Sequence, residues 1–230
     1  MCERFNLWTP SVEMAEFFTL FREPAAWLPR YNIGPLQRIV TIREKSDGHR
    51  HADLMQWGLV PSWATDPSVG SRMLNVRSET VFTKPVYRNA FRQRRCLIPA
   101  TGFYEWQQLT DSKRRPWHIF PQDGKPFAFA GLWETWRTSD RTTLCSCAFI
   151  TIESNRWMKS IHDRMPVILP IEKWNLWLNP AQDTLTELAK LFVACPGNSL
   201  EKKVVGSFVN SLRNDSPECI RPIPAENPSS

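Results

Sequence analysis

The sequence predicts an α+β fold, a single domain built on a twisted, barrel-like antiparallel β-sheet with flanking helices. Many short runs rich in β-branched and aromatic residues alternate with clusters of Pro, Gly, Asp and Ser. This pattern is typical of antiparallel strands joined by turns. Other segments repeat apolar residues at helical spacing. The length of 230 residues suits one domain with its own core.

The first predicted helix covers residues 10–21, because Thr9 is a suitable N-cap and Pro10 favours the first helical position. The strand-like runs that follow are 37–43, 52–59, 95–98, 102–108, 116–120, 126–133 and 142–152, with a last strand at 203–209. Further helices are predicted at 86–93, 154–160, 171–178 and 181–193. The polar residues 216–230 predict a poorly ordered tail after a domain of residues 1–215.

Composition narrows the class of protein. The start MCERFNLW is charged and leads into no apolar run that could serve as a signal peptide or membrane span, so we expect a soluble cytoplasmic protein. Its six cysteines would stay reduced there, and Cys145 with Cys147 lacks the second pair that a zinc site needs. We therefore expect no metal and no cofactor. The net charge of +6 favours an anionic partner.

The first two residues pose a chemical question. If Met1 is removed, Cys2 carries a free α-amine beside its thiol. Such a 1,2-aminothiol can condense with an aldehyde to an imine and close it into a thiazolidine, or its thiol can attack an acyl carbon. The alternative is that a small second residue stands there by chance.

Three stretches place polar residues where an ordinary core would not. Strand alternation in GFYEWQQ puts Glu105 on one face with Phe103. The Glu105 carboxyl group there would be either a buried proton carrier or one partner of an ion pair. Asn75, Arg77 and Glu79 project to one side of an extended segment, either into a hydrogen-bonding site or into solvent. His162 lies on a loop and is the best acid or base of the four histidines, although a lone histidine is usually structural.

Aromatic and basic residues are interleaved along the chain. Trp57 and Trp63 flank a turn in WGLVPSW, where exposed rings could stack on bases. The basic residues near such rings are Arg4, Arg72, Arg77, Lys84, Arg88, Arg92, Arg94 and Arg95. Together they indicate a groove for single-stranded nucleic acid, although FRQRR alone is more often the solvated side of a helix.

The stretches that carry chemistry also occur in the order of a known family. They are MC at the start, RYNIGP at 30–35, WGLVPSW at 57–63, LNVRSET at 74–80, RCLIPATGFYEW at 95–106, FAFAGLW at 127–133 and IHDRMPV at 161–167. In these the chain resembles the bacterial, stand-alone form of the SOS response-associated peptidase family, whose members shield abasic sites in DNA. The resemblance implies a monomer that binds abasic sites in single-stranded DNA and associates with the nucleoid when bound.

The resemblance also implies roles for individual residues. Cys2 would crosslink to the aldehyde of the opened abasic sugar through a thiazolidine, with lyase activity possible at the imine. Asn75 would hold Cys2 and the sugar by hydrogen bonds. Glu105 would shuttle protons, and His162 would act as acid or base at the sugar hydroxyl.

The remaining roles concern DNA contacts. Arg4 and Arg77 resemble the phosphate-binding arginines of the family, and Trp106 resembles a DNA-contacting aromatic residue. Pro35 and Trp63 resemble the wedge beside the lesion. Glu3 stands where most relatives carry glycine, and we expect its bulk and charge to weaken DNA binding or slow the reaction.

Two other functions remain open from the sequence. A cysteine peptidase would use Cys2 as nucleophile with Glu105 and His162, but it leaves the arginines and tryptophans without a role. A non-enzymatic single-stranded DNA binding module would make Cys2 incidental.

Overall fold

The computed structural model describes residues 2–24, 27–138, 142–182 and 184–224. The strands are β1 (Phe5–Leu7), β2 (Arg30–Ile33), β3 (Arg38–Glu44), β4 (Arg50–Trp57), β5 (Asn75–Arg77), β6 (Arg95–Ala100), β7 (Gly102–Gln108), β8 (Arg114–Pro121), β9 (Phe127–Arg137), β10 (Thr143–Glu153), β11 (Arg164–Pro166) and β12 (Leu200–Val204). The α-helices are α1 (Ser11–Phe17), α2 (Pro85–Gln93), α3 (Trp174–Leu178) and α4 (Leu185–Ala189).

A closed barrel forms the centre of the fold. Strands β4, β3, β6 and β9 pair in that order, and β10 closes the ring by pairing with both β9 and β4. The predicted α+β class with a barrel-like sheet is confirmed. One detail differs from the prediction, because the closing pair of β10 and β4 is parallel, as is the pair of β10 and β5.

A second sheet packs against the barrel and carries the N-terminus. Its five strands lie in the order β12, β8, β7, β1 and β2. Phe5 of β1 and Phe103 of β7 both contact Phe129 of β9 edge to face, with ring centroids 6.0 Å apart in each pair. Phe5 also lies 5.3 Å from Trp57, at the end of β4. These aromatic contacts fix the chain start against the barrel.

The first helix is shorter than predicted. It covers Ser11–Phe17, Pro10 rather than Thr9 holds the N-cap position, and Pro10 makes no side-chain cap bond. The helix ends where Thr19 takes a φ of 53°, in the left-handed region. Leu20 then forms a bridge with Arg50 at the start of β4, which draws the chain onto the barrel.

Of the other four predicted helices, two are confirmed, one segment is not helical and one helix is shorter than predicted. Residues 86–93 and 171–178 are helical as expected, the latter as a 3-10 turn followed by α3. Residues 154–160 form turns instead of a helix, although the Asn155 side chain accepts from the Met158 backbone amide as a helix N-cap would. Of 181–193, which includes residue 183 outside the described ranges, only Leu185–Ala189 is α-helical. Among the described residues, no helix is long and apolar enough to cross a membrane.

The C-terminal part also differs from its prediction. The last strand is Leu200–Val204 rather than 203–209, and the 3-10 turn Ser207–Asn210 follows it. The polar segment from residue 216 was predicted to be poorly ordered, yet Cys219 is buried beside Tyr104 and Val209. A thiol packs as a small apolar group, which explains why this segment docks. Residues 225–230 of the predicted tail lie outside the described ranges.

Candidate active site

Cys2 is held inside the domain by its own backbone and by Asn75. Its side chain is 1% exposed, and its thiol donates to the Arg4 carbonyl at 3.7 Å. The Asn75 side-chain amide donates to the Cys2 carbonyl at 2.9 Å. Pairing of β1 with β2 and β7 anchors the residues that follow. The structure therefore brings Asn75 to Cys2.

Burial suppresses ionisation of the Cys2 thiol. Its pKa lies well above the ordinary value, because burial disfavours the thiolate and the negative charge of Glu105 adds to this effect. The thiol is therefore protonated at neutral pH. The same electrostatic influence shows that Glu105 lies close to Cys2.

Glu105 is a buried carboxyl group on β7. Its side chain faces inward with Phe103, as strand alternation predicts, and is 2% exposed. Burial raises its pKa to about 8, and the charges of Glu3 and Asp163 contribute in the same direction. The ion-pair interpretation is wrong, because Glu105 forms no salt bridge with any residue that the structure describes.

Two buried oxygen acceptors near Cys2 have no donor. Within the described ranges, neither Oδ1 of Asn75 nor Oε1 of Glu105 has a hydrogen-bond partner. Buried acceptors are rarely left unpaired, because each costs free energy on removal from water. Such a pair of acceptors beside a chain start is suited to bind an N–H or O–H donor.

Glu105 also lines an open polar cavity of about 980 Å³. The residues around this cavity come from the chain start, β7, β8 and the loop before β11. They are Glu3, Arg4, Glu105, Trp106, Gln108, Ser112, Lys113, Arg114, Ile161, His162, Asp163 and Asn210. Cys2 and Asn75 do not line this cavity, but Glu105 does, and its charge acts on the Cys2 thiol. The cavity therefore leads from solvent to a carboxyl group close to Cys2.

His162 lines the same cavity, together with its neighbours Ile161 and Asp163. Its pKa is lowered, mainly because burial disfavours the imidazolium. Its Nδ1 accepts from the Arg164 backbone amide at 3.0 Å. A neutral imidazole in this position can accept a proton at neutral pH.

Arg164 joins the His162 loop to the strand of Asn75. Its guanidinium donates two hydrogen bonds to Glu79, at 2.6 and 3.1 Å, and a further bond to the Thr151 carbonyl at 2.6 Å. Glu79 lies two residues beyond the end of β5. This bidentate pair therefore ties the His162 loop to the segment that carries Asn75. Glu79 serves this contact, not the hydrogen-bonding site expected of it.

Arg4 and Trp106 form one wall of the cavity. The Arg4 guanidinium lies 5.5 Å from the Trp106 ring centroid and donates to the Asn32 side chain and the Val209 carbonyl, each at 2.8 Å. The Trp106 indole donates to the Asn210 side chain at 2.8 Å. Both residues reach the cavity, and their predicted DNA contacts remain predictions.

Three predicted DNA-binding residues lie outside the cavity wall. Arg77 is exposed at the end of β5, two residues beyond Asn75. Trp63 is 72% exposed. The turn of Pro35 adjoins the segment that leads to Trp63, because the Leu36 amide donates to the Trp57 carbonyl at 2.8 Å. The structure thus brings together the two loops of the predicted wedge, whose role beside DNA remains a prediction.

Part of the predicted groove is structural instead. Arg95 is buried, and its guanidinium donates to backbone carbonyls such as those of Phe91 and Trp177 at 2.7 Å, which satisfies the ends of helices. Arg94 pairs with Glu134 at 2.8 Å. Trp57 is fully buried, and its indole donates to the Leu74 carbonyl at 2.9 Å, so it cannot stack on a base.

Sequence reasoning missed residues that support the site. Asn32 is fully buried and donates to the carbonyls of Ser211 and Asn214, at 2.9 and 2.7 Å, while it accepts from Arg4. The sequence feature that could have identified Asn32 is its position in RYNIGP, one of the stretches that carry the family resemblance. Nothing local marked Asn210, because it reaches Trp106 across 104 residues of sequence.

Comparison of the sequence with known proteins gives consistent matches. Residues 1–212 match the model of the family described as SOS response associated peptidase (SRAP). The abasic site processing protein YoqW of Bacillus subtilis is 40% identical over 222 residues, which cover 96% of this chain and 99% of that protein. The abasic site processing protein HMCES of Gallus gallus is 33% identical over 241 residues, covering 88% of this chain and 70% of that protein.

Solved structures share the fold. A crystal structure of a protein from Bacteroides thetaiotaomicron superposes with a TM-score of 0.87 at 22% identity, covering 96% of this chain and 100% of that chain.

Proposed function

Because the chain belongs to the SOS response-associated peptidase family, we propose that it processes abasic sites in DNA by forming a covalent crosslink through Cys2. The observation that carries this proposal is the pair of unpartnered buried acceptors, Asn75 Oδ1 and Glu105 Oε1, beside a Cys2 whose carbonyl Asn75 already binds. An α-amine released at Cys2 by removal of Met1 would supply the missing donors. The names of its relatives, abasic site processing proteins, support the substrate.

The reaction begins at the amine. The neutral α-amine of Cys2 attacks the aldehyde carbon of the opened sugar and forms a carbinolamine, which loses water to give an imine. Glu105, whose pKa of about 8 keeps it protonated at neutral pH, donates the proton that the departing oxygen needs. His162, neutral at the same pH, accepts a proton from the sugar hydroxyl during ring opening.

The thiol completes the adduct. The Cys2 sulfur adds to the imine carbon, and the thiol proton passes to the imine nitrogen, so that a five-membered thiazolidine forms with loss of one water overall. No oxidant or reductant is needed. An imine that escapes closure can instead lose the 3′ phosphate by β-elimination, which is the lyase activity that we propose as a side reaction.

The substrate strand is proposed to be single-stranded. Arg4 and Trp106 at the cavity wall, exposed Arg77, and the paired loops of Pro35 and Trp63 offer cationic and aromatic contacts that suit a strand with unstacked bases. Glu3 lines the same cavity. Its charge is expected to repel phosphates and lower the affinity relative to a glycine at this position.

A cysteine peptidase is the less favoured alternative. Its nucleophile would be a thiolate, yet burial raises the pKa of the Cys2 thiol well above its ordinary value. The cavity also contains acidic groups, Glu3 and Asp163, and no salt bridge of the described residues holds Glu105 against His162 as an orienting partner.

The test uses two forms of the protein, one with Met1 removed and one that retains it, each verified by intact mass. An amide nitrogen cannot form an imine, because its lone pair is delocalised. Incubation with abasic and intact oligonucleotides, followed by a denaturing gel, should give a covalent band only for the processed form with abasic DNA. Equal adduct yields from both forms would contradict the aminothiol mechanism. Cleavage of peptides without an adduct would favour the peptidase.

A further inference from the structure

The hairpin that joins β7 to β8 forms the outer wall of the cavity. Thr110 and Lys113 close its turn, since the Lys113 amide donates to the Thr110 carbonyl at 3.3 Å and the Leu109 amide donates to the Lys113 carbonyl at 3.0 Å. The Gln107 side chain donates to the Ser160 carbonyl at 2.9 Å. This bond ties the hairpin to the segment that leads into His162, which also lines the cavity.

The hairpin presents two cations to the cavity. Lys113 and Arg114 are exposed, line the cavity, and form no ion pair with any residue in the described ranges. Other exposed lysines, such as Lys159 and Lys190, pair with glutamates. The Arg114 guanidinium donates only through Nε to Gln108, at 2.9 Å, among the hydrogen bonds of the described residues. Its terminal nitrogens therefore remain able to bind an anion.

These cations continue the wall that begins at Trp106. Residues 106 and 108 lie on one face of β7 by strand alternation, and Arg114 pairs directly with Gln108 across the hairpin. Gln108 lies three positions along the strand from Glu105, which corresponds to about 10 Å at the usual rise. Arg114 and Lys113 thus lie beyond the reacting sugar, where the backbone of a neighbouring nucleotide would pass.

The charges that line the cavity differ between the part around Glu105 and the part at the hairpin turn. Glu3 and Asp163 act on Glu105 and share their part of the cavity with one cation, Arg4, whereas Lys113 and Arg114 line it at the hairpin turn. The two carboxylates offset Arg4 and weaken the attraction of phosphates to the part around Glu105, whereas they do not repel the neutral abasic sugar. The part at the hairpin turn attracts phosphates. This separation would favour entry of the sugar first, with its flanking phosphates kept at the hairpin.

We propose that the β7–β8 hairpin is a phosphate-binding arm of the DNA site, in which Lys113 and Arg114 hold the backbone on one side of the abasic sugar. The proposal rests on the crosslinking function above. Both side chains contact phosphate without reading bases, so the arm contributes affinity for any sequence and orients the strand.

The test compares two double variants with the same change in charge. K113A/R114A removes the arm. K125A/K173A removes two exposed lysines remote from the cavity, which form no ion pair among the described residues. Binding is measured to a single strand that contains a reduced abasic analogue without an aldehyde, over a series of salt concentrations. Each phosphate contact to a single strand contributes about 0.7 to the slope of log affinity against log salt.

We expect K113A/R114A to lower the slope by about 1.4, for two contacts, and K125A/K173A to leave it near the wild-type value. The charge-conserving K113R/R114K should keep the wild-type slope, which separates charge from hairpin structure. Binding is also measured to oligonucleotides that carry nucleotides on only the 5′ side or only the 3′ side of the lesion. K113A/R114A should lower the salt slope for one of these two oligonucleotides and not for the other.

An equal slope for K113A/R114A and wild type, or an equal loss in both double variants, overturns the arm. A failure of the proposed crosslinking function can be distinguished from a failure of the phosphate-binding arm. In the first case wild type itself would give no covalent band with abasic DNA.

Discussion

Replacing Glu105 by Gln should stabilise the protein while it disables the reaction. Folding raises the pKa of this carboxyl group from 4.5 to about 8, chiefly through burial, so the folded state holds a proton that the unfolded state releases. The stability that this carboxyl contributes is therefore fully present below pH 4.5 and is lost as the pH rises through 8. One pH unit corresponds to about 1.4 kcal/mol, which gives a loss on the order of 5 kcal/mol between these limits.

Gln keeps the shape and has no proton to lose. The difference in free energy of unfolding between Glu105→Gln and wild type should therefore grow with pH, reaching on the order of 3 kcal/mol at pH 7 in favour of the variant. Urea unfolding of both proteins at intervals from pH 5 to pH 9 measures this difference. Groups that titrate in both proteins cancel from it.

The same substitution should slow crosslinking by about 10²- to 10⁴-fold, the usual effect of losing a positioned acid or base. Noncovalent affinity for the reduced abasic analogue should change little. The wild-type rate should fall at low pH, where the amine is protonated, and again above about pH 8, where Glu105 loses its proton. A stability difference that is constant across this range would refute the buried, proton-holding state of Glu105. A wild-type rate in the variant would refute its role as proton carrier.

Four further changes test other parts of the molecule. Cys2→Ala should abolish the heat-stable adduct on a denaturing gel and leave DNA binding nearly intact, unless another nucleophile reacts. Arg77→Ala should lower affinity equally for abasic and intact single strands and reduce the salt slope by about 0.7; a defect confined to abasic DNA would exclude a phosphate contact. Burial lowers the pKa of His118 to about 3, so its contribution to stability is present above pH 6.5 and lost as the pH falls towards 3. His118→Gln should remove a loss of about 3 kcal/mol between pH 7.5 and 4.5 in urea unfolding, and an unchanged acid loss would contradict this. Gly58→Ala should lower the Tm, since Gly58 has a φ of 131° and an added Cβ would lie 2.6 Å from the Gly70 carbonyl oxygen.

Strand periodicity correctly predicted the features that depend only on local geometry, namely strand bounds and the direction of side chains along a strand. The strand at 102–108 has its predicted bounds, and the inward face of Glu105 follows from alternation with Phe103. The barrel-like sheet followed from the number and spacing of short strands. Its closure by a parallel pair of β10 and β4 had no local signal, because the two strands are distant in sequence.

Helix ends and basic residues were harder to predict for a physical reason. Residues 154–160 have helical apolar spacing and an Asn155 side chain placed as an N-cap, yet they form only turns. Tertiary packing, which the local pattern does not contain, decides whether such a turn extends into a helix. FRQRR looks like the solvated side of a helix, yet Arg95 is buried among carbonyls. Whether an arginine meets phosphate or backbone is decided by tertiary neighbours, which periodicity does not contain.

The electrostatics of Cys2 set the order of bond formation. Burial disfavours the thiolate, so the sulfur is a poor first nucleophile at neutral pH, and the charge of Glu105 adds to this effect once that carboxyl ionises. The amine needs only to lose one proton to become reactive, and Asn75, which already binds the Cys2 carbonyl, has a side-chain oxygen without a partner among the described residues that can hold the neutral amine. Once the imine has formed, its carbon is a stronger electrophile held next to the sulfur, and a protonated thiol suffices to close the ring as its proton moves to nitrogen. A buried thiol is thus consistent with an aminothiol that reacts through nitrogen first, and it is unsuited to a peptidase that must attack through sulfur.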